Sequence, residues 1–188
     1  SGFSYKEWKG LFYPEDLPDK QMLHFYGERF RTVEINNTFY RMPKASVLEG
    51  WATEVPADFK FVLKASRRIT HMQRLKDAGE SISYLLKVAE VLKERLGPLL
   101  FQLPPFLKKD LPRLQEFLPL LPRNRRAAFE FRHQSWFDQE VYDVLRNHRA
   151  VLCIAEAEND LEIPFVSTAG WGYVRLRRRD YGNADLKK

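Results

Sequence analysis

A chain of 188 residues that is 44% hydrophobic, with a net charge of +6 and an isoelectric point near 9.4, carries enough apolar material for one substantial core and is expected to form a single domain over residues 1–188. No apolar run approaches the ~20 residues that cross a bilayer, and no basic-then-apolar leader is read, so a cytoplasmic protein without a membrane partner is expected. The lone Cys153 excludes an internal disulfide and, inside an apolar run, belongs in the core rather than at a reactive site.

Residues 1–18 are aromatic and rich in turn formers, and they read as a loop with at most one turn of helix. Asp19 is expected to cap a helix in which Met22, Leu23, Tyr26 and Phe30 recur at steps of three and four. A strand over 32–35 follows, then a helix over 44–54 carrying Val47, Leu48 and Trp51, and a strand over 59–64. The longest helix is expected over 77–96, with Ile82, Leu85, Leu86, Ala89 and Leu92 on one face and Gly97-Pro98 as its stop. Next come a strand over 99–103, a helix over 110–118, a strand over 126–131 and a helix over 138–148 capped by Asp138. Strands over 150–154 and 172–177 complete the series. Strands alternating with helices build a parallel sheet, so the fold class is α/β.

Six of these apolar runs end in a charged or amide side chain: Glu34 with Asn36, Lys64, Gln102, Glu130 with Arg132, Glu156, and Arg175 with Arg177. Polar groups at the carboxyl ends of parallel strands are where such folds place their sites. The repeated position predicts that Glu34, Lys64, Gln102, Glu130 and Arg132 converge on one polar pocket.

The runs Ser4-Tyr5-Lys6-Glu7-Trp8, Glu34-Ile35-Asn36-Asn37-Thr38-Phe39-Tyr40, Lys64-Ala65-Ser66-Arg67-Arg68-Ile69-Thr70-His71, Gly97-Pro98-Leu99-Leu100-Phe101-Gln102-Leu103-Pro104-Pro105 and Phe129-Glu130-Phe131-Arg132-His133-Gln134-Ser135-Trp136-Phe137 occur in that order. Together they resemble the DUF72, or YecE-like, family across almost the whole chain. The resemblance implies a TIM-like β/α barrel with its pocket at the carboxyl ends of the strands, and it carries over no settled activity. Family members are expected to have a strand before Ser1 and a last helix and strand beyond Lys188. On that comparison the chain reads as an internal portion of a barrel, with its first and last strands absent.

Glu34 and Glu130 are the candidate acid and base, because two carboxylates facing one pocket can divide those roles. The alternative is that each balances a cation, Glu130 with Arg132 or Lys64. Asn36 shares the face of Glu34 if the strand continues, which points Asn37 the other way; turn formation is the competing role for both. Lys64 is placed to hold a phosphate or carboxylate, with a Schiff base as a remoter use. Arg67, Arg68 and His71 make a basic loop beside it. Gln102, Arg132, His133, Trp136 and Arg175 complete the candidate ligand contacts. Tyr5, Trp8, Tyr13 and Tyr40 read equally as core or as pocket wall.

The histidines at 24, 71, 133 and 148 show no metal-ligand spacing, and no Gly-rich phosphate loop or dinucleotide fingerprint occurs, so neither a metal nor a cofactor is expected. Three readings remain. One is an enzyme acting on an anionic or phosphorylated compound. Another is a nucleic-acid-binding or nuclease-like protein using basic loops and aromatics, and the third is a noncatalytic ligand-binding barrel. Convergence of polar residues on strand ends favours the first, since the basic residues form no long stripe.

Overall fold

The computed structural model describes residues 2–156, 161–176 and 182. Six parallel strands form one curled sheet in chain order: β1 (Thr32–Ile35), β2 (Lys60–Lys64), β3 (Leu96–Gln102), β4 (Ala127–Glu130), β5 (Val151–Ala155) and β6 (Tyr173–Arg175). Helix α1 (Met22–Arg29) precedes β1, and α2 (Asn37–Tyr40) and α3 (Ala45–Glu54) lead to β2. Helices α4 (Gly79–Ala89), α5 (Leu111–Phe117) and α6 (Gln139–Asn147) each carry the chain to the next strand. Parallel strands need such crossovers, and these helices cover one face of the sheet.

Strand side chains alternate between two faces, and here each face has its own core. Val33, Ile35, Phe61, Leu63, Leu99, Phe101, Phe129 and Leu152 point outward and pack with helix residues such as Leu48, Ile82, Leu85, Leu114, Val141 and Leu145. Val62, Leu100, Ala128, Val151, Cys153 and Ala155 point inward and form a smaller second cluster. The register aligns this inner set, with Leu100 opposite Ala128 and Ala128 opposite Val151. The curl is visible in one contact: Arg175 on β6 reaches Glu34 on β1, with four strands between them, at 2.6 Å.

Asp138 caps α6 as expected, accepting from the Val141 amide at 3.2 Å, and Asp110 caps α5 through the Arg113 amide at 3.1 Å. Asp19 does not cap. It opens a short 3-10 turn, Asp19–Gln21, and its carboxylate pairs with Lys9 at 2.9 Å and Lys6 at 3.2 Å. The expected long helix ends at Ala89; a 3-10 segment, Glu90–Arg95, follows, with Lys93 at φ 49°. Gly97 and Pro98 therefore lie within β3 instead of stopping a helix. A Cβ on Gly97 would sit 3.0 Å from the Phe61 carbonyl oxygen, so this glycine serves close strand approach. Strand β6 ends at Arg175, and Arg177 lies outside the described residues.

Candidate functional site

Inward alternation delivers the polar ends of five strands to one chain of hydrogen bonds. Lys64 Nζ donates to Gln102 Oε1 at 2.8 Å, and Gln102 Nε2 donates to Glu130 Oε1 at 2.7 Å. Arg175 Nη1 bonds the other oxygen of Glu130, while its Nη2 donates to Glu34 Oε1 at 2.6 Å. Tyr173 completes the line by donating its hydroxyl to Glu34 Oε2 at 2.7 Å. Lys64, Gln102, Glu130 and Arg175 are all buried. Burying these charges is tolerated because each faces an opposite charge or a matched amide. One guanidinium thus clamps both carboxylates, and an amide fixes the distance between Lys64 and Glu130.

The pairing partner differs from the sequence expectation. Glu130 is balanced by Arg175, not by Arg132, and is linked to Lys64 through Gln102. For Arg175, burial pulls the pKa down, but Glu130 and Glu34 outweigh burial and raise it, so it stays charged. Burial and the neighbouring Glu34 push the Tyr173 phenol far up, which makes it a fixed donor. The sequence places Tyr173 within the strand over 172–177 and marks it with no site role. Period two back from Arg175 is the signal that places it on the same face.

His71 and Lys64 meet at the ring of Phe39, with the imidazole edge-on at 4.9 Å and Lys64 Nζ over the ring at 4.3 Å. Burial lowers the pKa of His71, and the charges of Lys64 and Arg132 lower it further. Its Nδ1 lies 2.9 Å from the Thr70 hydroxyl within the wide π-helical turn Arg68–Met72. Thr38 ties this corner together, donating to the carbonyls of Ile35 at 2.9 Å and Lys64 at 2.7 Å. Among the described residues, no carboxylate lies within 4.0 Å of the Arg132 guanidinium.

Three expected contacts sit elsewhere. Asn36 is helical in backbone, at φ −86° and ψ −24°, so the alternation that aligned it with Glu34 ends at Ile35. Asn36 and Asn37 instead line one cavity of about 430 Å³ with Phe3, Tyr5 and Trp51. Trp136 is buried, stacks on Phe131 with centroids 4.6 Å apart and donates its indole N–H to the Leu107 carbonyl at 2.8 Å. It is part of the outer core, not a ligand contact. His133 accepts from the Ser135 amide at 3.1 Å and so caps the 3-10 turn Gln134–Trp136. Tyr5, Trp8 and Tyr13 belong to an aromatic cluster with Phe12 and Phe25. Among the described residues no group of three His, Cys, Asp or Glu is placed to hold a metal ion.

A family model described as "Protein of unknown function DUF72" matches residues 1–188. The chain belongs to the DUF72 family. Relatives include the UPF0759 protein YecE of Escherichia coli K12, 33% identical over 116 residues, which are 61% of this chain and 43% of that protein. The UPF0759 protein YunF of Bacillus subtilis is 30% identical over 139 residues, 70% of this chain and 49% of that protein. The chain thus matches just under half the length of these two curated relatives. A DUF72 crystal structure from Thermotoga maritima superposes with a TM-score of 0.79 at 30% identity, covering 98% of this chain and 77% of the other. One from Enterococcus faecalis, at 20% identity and a TM-score of 0.73 over 89% and 65% of the two chains, shares the fold.

Proposed function

We propose that this DUF72 chain builds a TIM-like β/α site for a small phosphate- or carboxylate-bearing ligand at the carboxyl ends of its strands. The observation that carries the reading is the gathering of Lys64 and His71 on the ring of Phe39, at 4.3 and 4.9 Å, where burial and the charges of Lys64 and Arg132 together lower the pKa of His71. Arg175 bridges the two carboxylates, while Lys64 and Arg132 both contribute positive potential at His71, a field that favours an anion there. His71 would then gain a proton as the anion binds, because a negative neighbour favours its charged form.

Proton transfer in this reading falls to Glu34 rather than equally to Glu34 and Glu130. Both carboxylates are bonded through both oxygens, but Glu34, with Tyr173, lines an open cavity of about 720 Å³ that extends to Thr32, Lys60 and Arg126, and Glu130 does not. Calorimetric titration should show phosphate- or carboxylate-bearing compounds binding better than neutral analogues of the same shape, and better at pH 6 than at pH 8. Lys64→Ala and Arg132→Ala should weaken binding by about tenfold, roughly 1.4 kcal/mol. Substitution of the exposed helix residue Lys87 should leave it unchanged. Equal affinity for charged and neutral analogues in all variants would sink the reading. Turnover that Glu34→Gln removes while affinity is kept would mark an enzyme; binding without turnover across the panel would mark a ligand-binding barrel.

A further inference from the structure

A cationic cavity of about 390 Å³ lies at the amino ends of the strands, sharing Arg126 and Trp171 with the cavity that Glu34 lines. Arg123, Arg125 and Arg126 precede β4, Arg146 and Arg149 bracket the end of α6 before β5, and Trp171 stands just ahead of β6. The parallel register brings them together, because the amino ends of neighbouring parallel strands lie side by side. Arg146 is fixed in place, donating to Asp143 at 2.7 Å and to the Ser167 carbonyl at 3.3 Å. Among the described residues, no carboxylate lies within 4.0 Å of the other four guanidinium groups. Arg126 is oriented by the Trp171 ring, 5.5 Å from its centroid.

Arg149 adds an independent observation. It follows the end of α6 at φ 56°, the position where glycine is the common residue. The turn is closed by the Ala150 amide on the Leu145 carbonyl at 2.9 Å and the Arg149 amide on the Arg146 carbonyl at 3.0 Å. A long cation is therefore held in a backbone conformation that disfavours any side chain, beside a cavity already lined with like charge. Strain of this kind gathers where a side chain is used for binding.

We propose that this cavity binds a short phosphate chain, as free oligophosphate or as the phosphates of a nucleotide. Guanidinium groups present planar forks that match phosphate oxygens two at a time, and several of them match the several charges of such a chain. The mutual repulsion of the arginines would be relieved by the bound anion.

The test is calorimetric titration of the chain with inorganic tripolyphosphate. A saturable class of binding that depends on these arginines is expected beside any binding at the carboxyl ends, and the double variant Arg126→Gln/Arg149→Gln should weaken that class by about tenfold or more. Lys64→Ala and Arg132→Ala should leave the arginine-dependent class unchanged and affect only binding at the carboxyl ends, which separates the two sites. Arg149→Gly should weaken binding while keeping the melting temperature of the parent, because glycine suits that backbone. ATP binding more tightly than tripolyphosphate would assign the nucleotide source; equal affinity would assign the phosphate chain alone. Failure to saturate, or unchanged affinity in the double variant, would overturn the proposal. So would an oligonucleotide that binds more tightly with length and is not displaced by tripolyphosphate.

Discussion

Arg175 has no substitute among its neighbours, because one guanidinium satisfies two carboxylates on strands that do not pair with each other. Arg175→Met should cost about 3–5 kcal/mol, since it takes the cation from one buried and one half-buried acid. Urea unfolding would measure the loss, and adding Glu130→Gln should recover part of it by removing one of those charges. His71 gives the residue-scale pH dependence. Its pKa is lowered in the folded chain, so the unfolded chain takes up the proton first. The stability it governs is intact above about pH 6.5 and falls as acidification proceeds from there toward the folded value. His71→Asn should flatten the drop in urea midpoint between pH 7.5 and 5.5; an unchanged slope would contradict this. The strand-end rule made Glu34, Lys64, Gln102 and Glu130 legible in the sequence, because alternation and strand ends are local properties, but it put Arg132 with them where the hydrogen-bonded chain holds Arg175. Which cation meets which carboxylate was not legible, since sheet curvature decides it across 141 residues of chain.

Helices and strands were legible where a cap or a period marked them. Asp138 with its apolar Val141, Tyr142 and Leu145 located α6, and the alternating runs located all six strands. The misreading at 90–98 has a physical cause: glycine ends helices and also admits close backbone neighbours, and only the partner strand shows which use applies. Here the partner is the Phe61 carbonyl, beside the point where the β2–β3 register shifts. Gly97→Ala must therefore move backbone, and it should destabilise the chain by about 1–3 kcal/mol, the range for overpacking. Lys93, at φ 49°, is the nearby position where glycine should be tolerated instead. Parallel urea titrations of Gly97→Ala and Lys93→Gly should show opposite costs, large for the first and near zero for the second.

The whole molecule is a sheet whose end strands, among the described residues, each pair on one side only. Val174 on β6 is 55% exposed, and an apolar edge invites another chain to add a strand. Val174→Lys should reduce concentration-dependent association in light scattering without lowering the melting temperature. Equal association in both proteins would show that β6 is not the contact. The chain-ordered sheet also has a consequence in time. Every strand pairs with its neighbour in sequence, so the sheet can be laid down in the order of synthesis, each strand docking on one already made. Until the sixth strand docks, Glu34 and Glu130 form an electrostatic fault on the inner face, two acids awaiting one base. Arrival of Arg175 turns that fault into a lock, and the candidate site exists only from that moment. A half-assembled chain would therefore hold its sheet and helices but lack the one bridge that joins its first strand to its last.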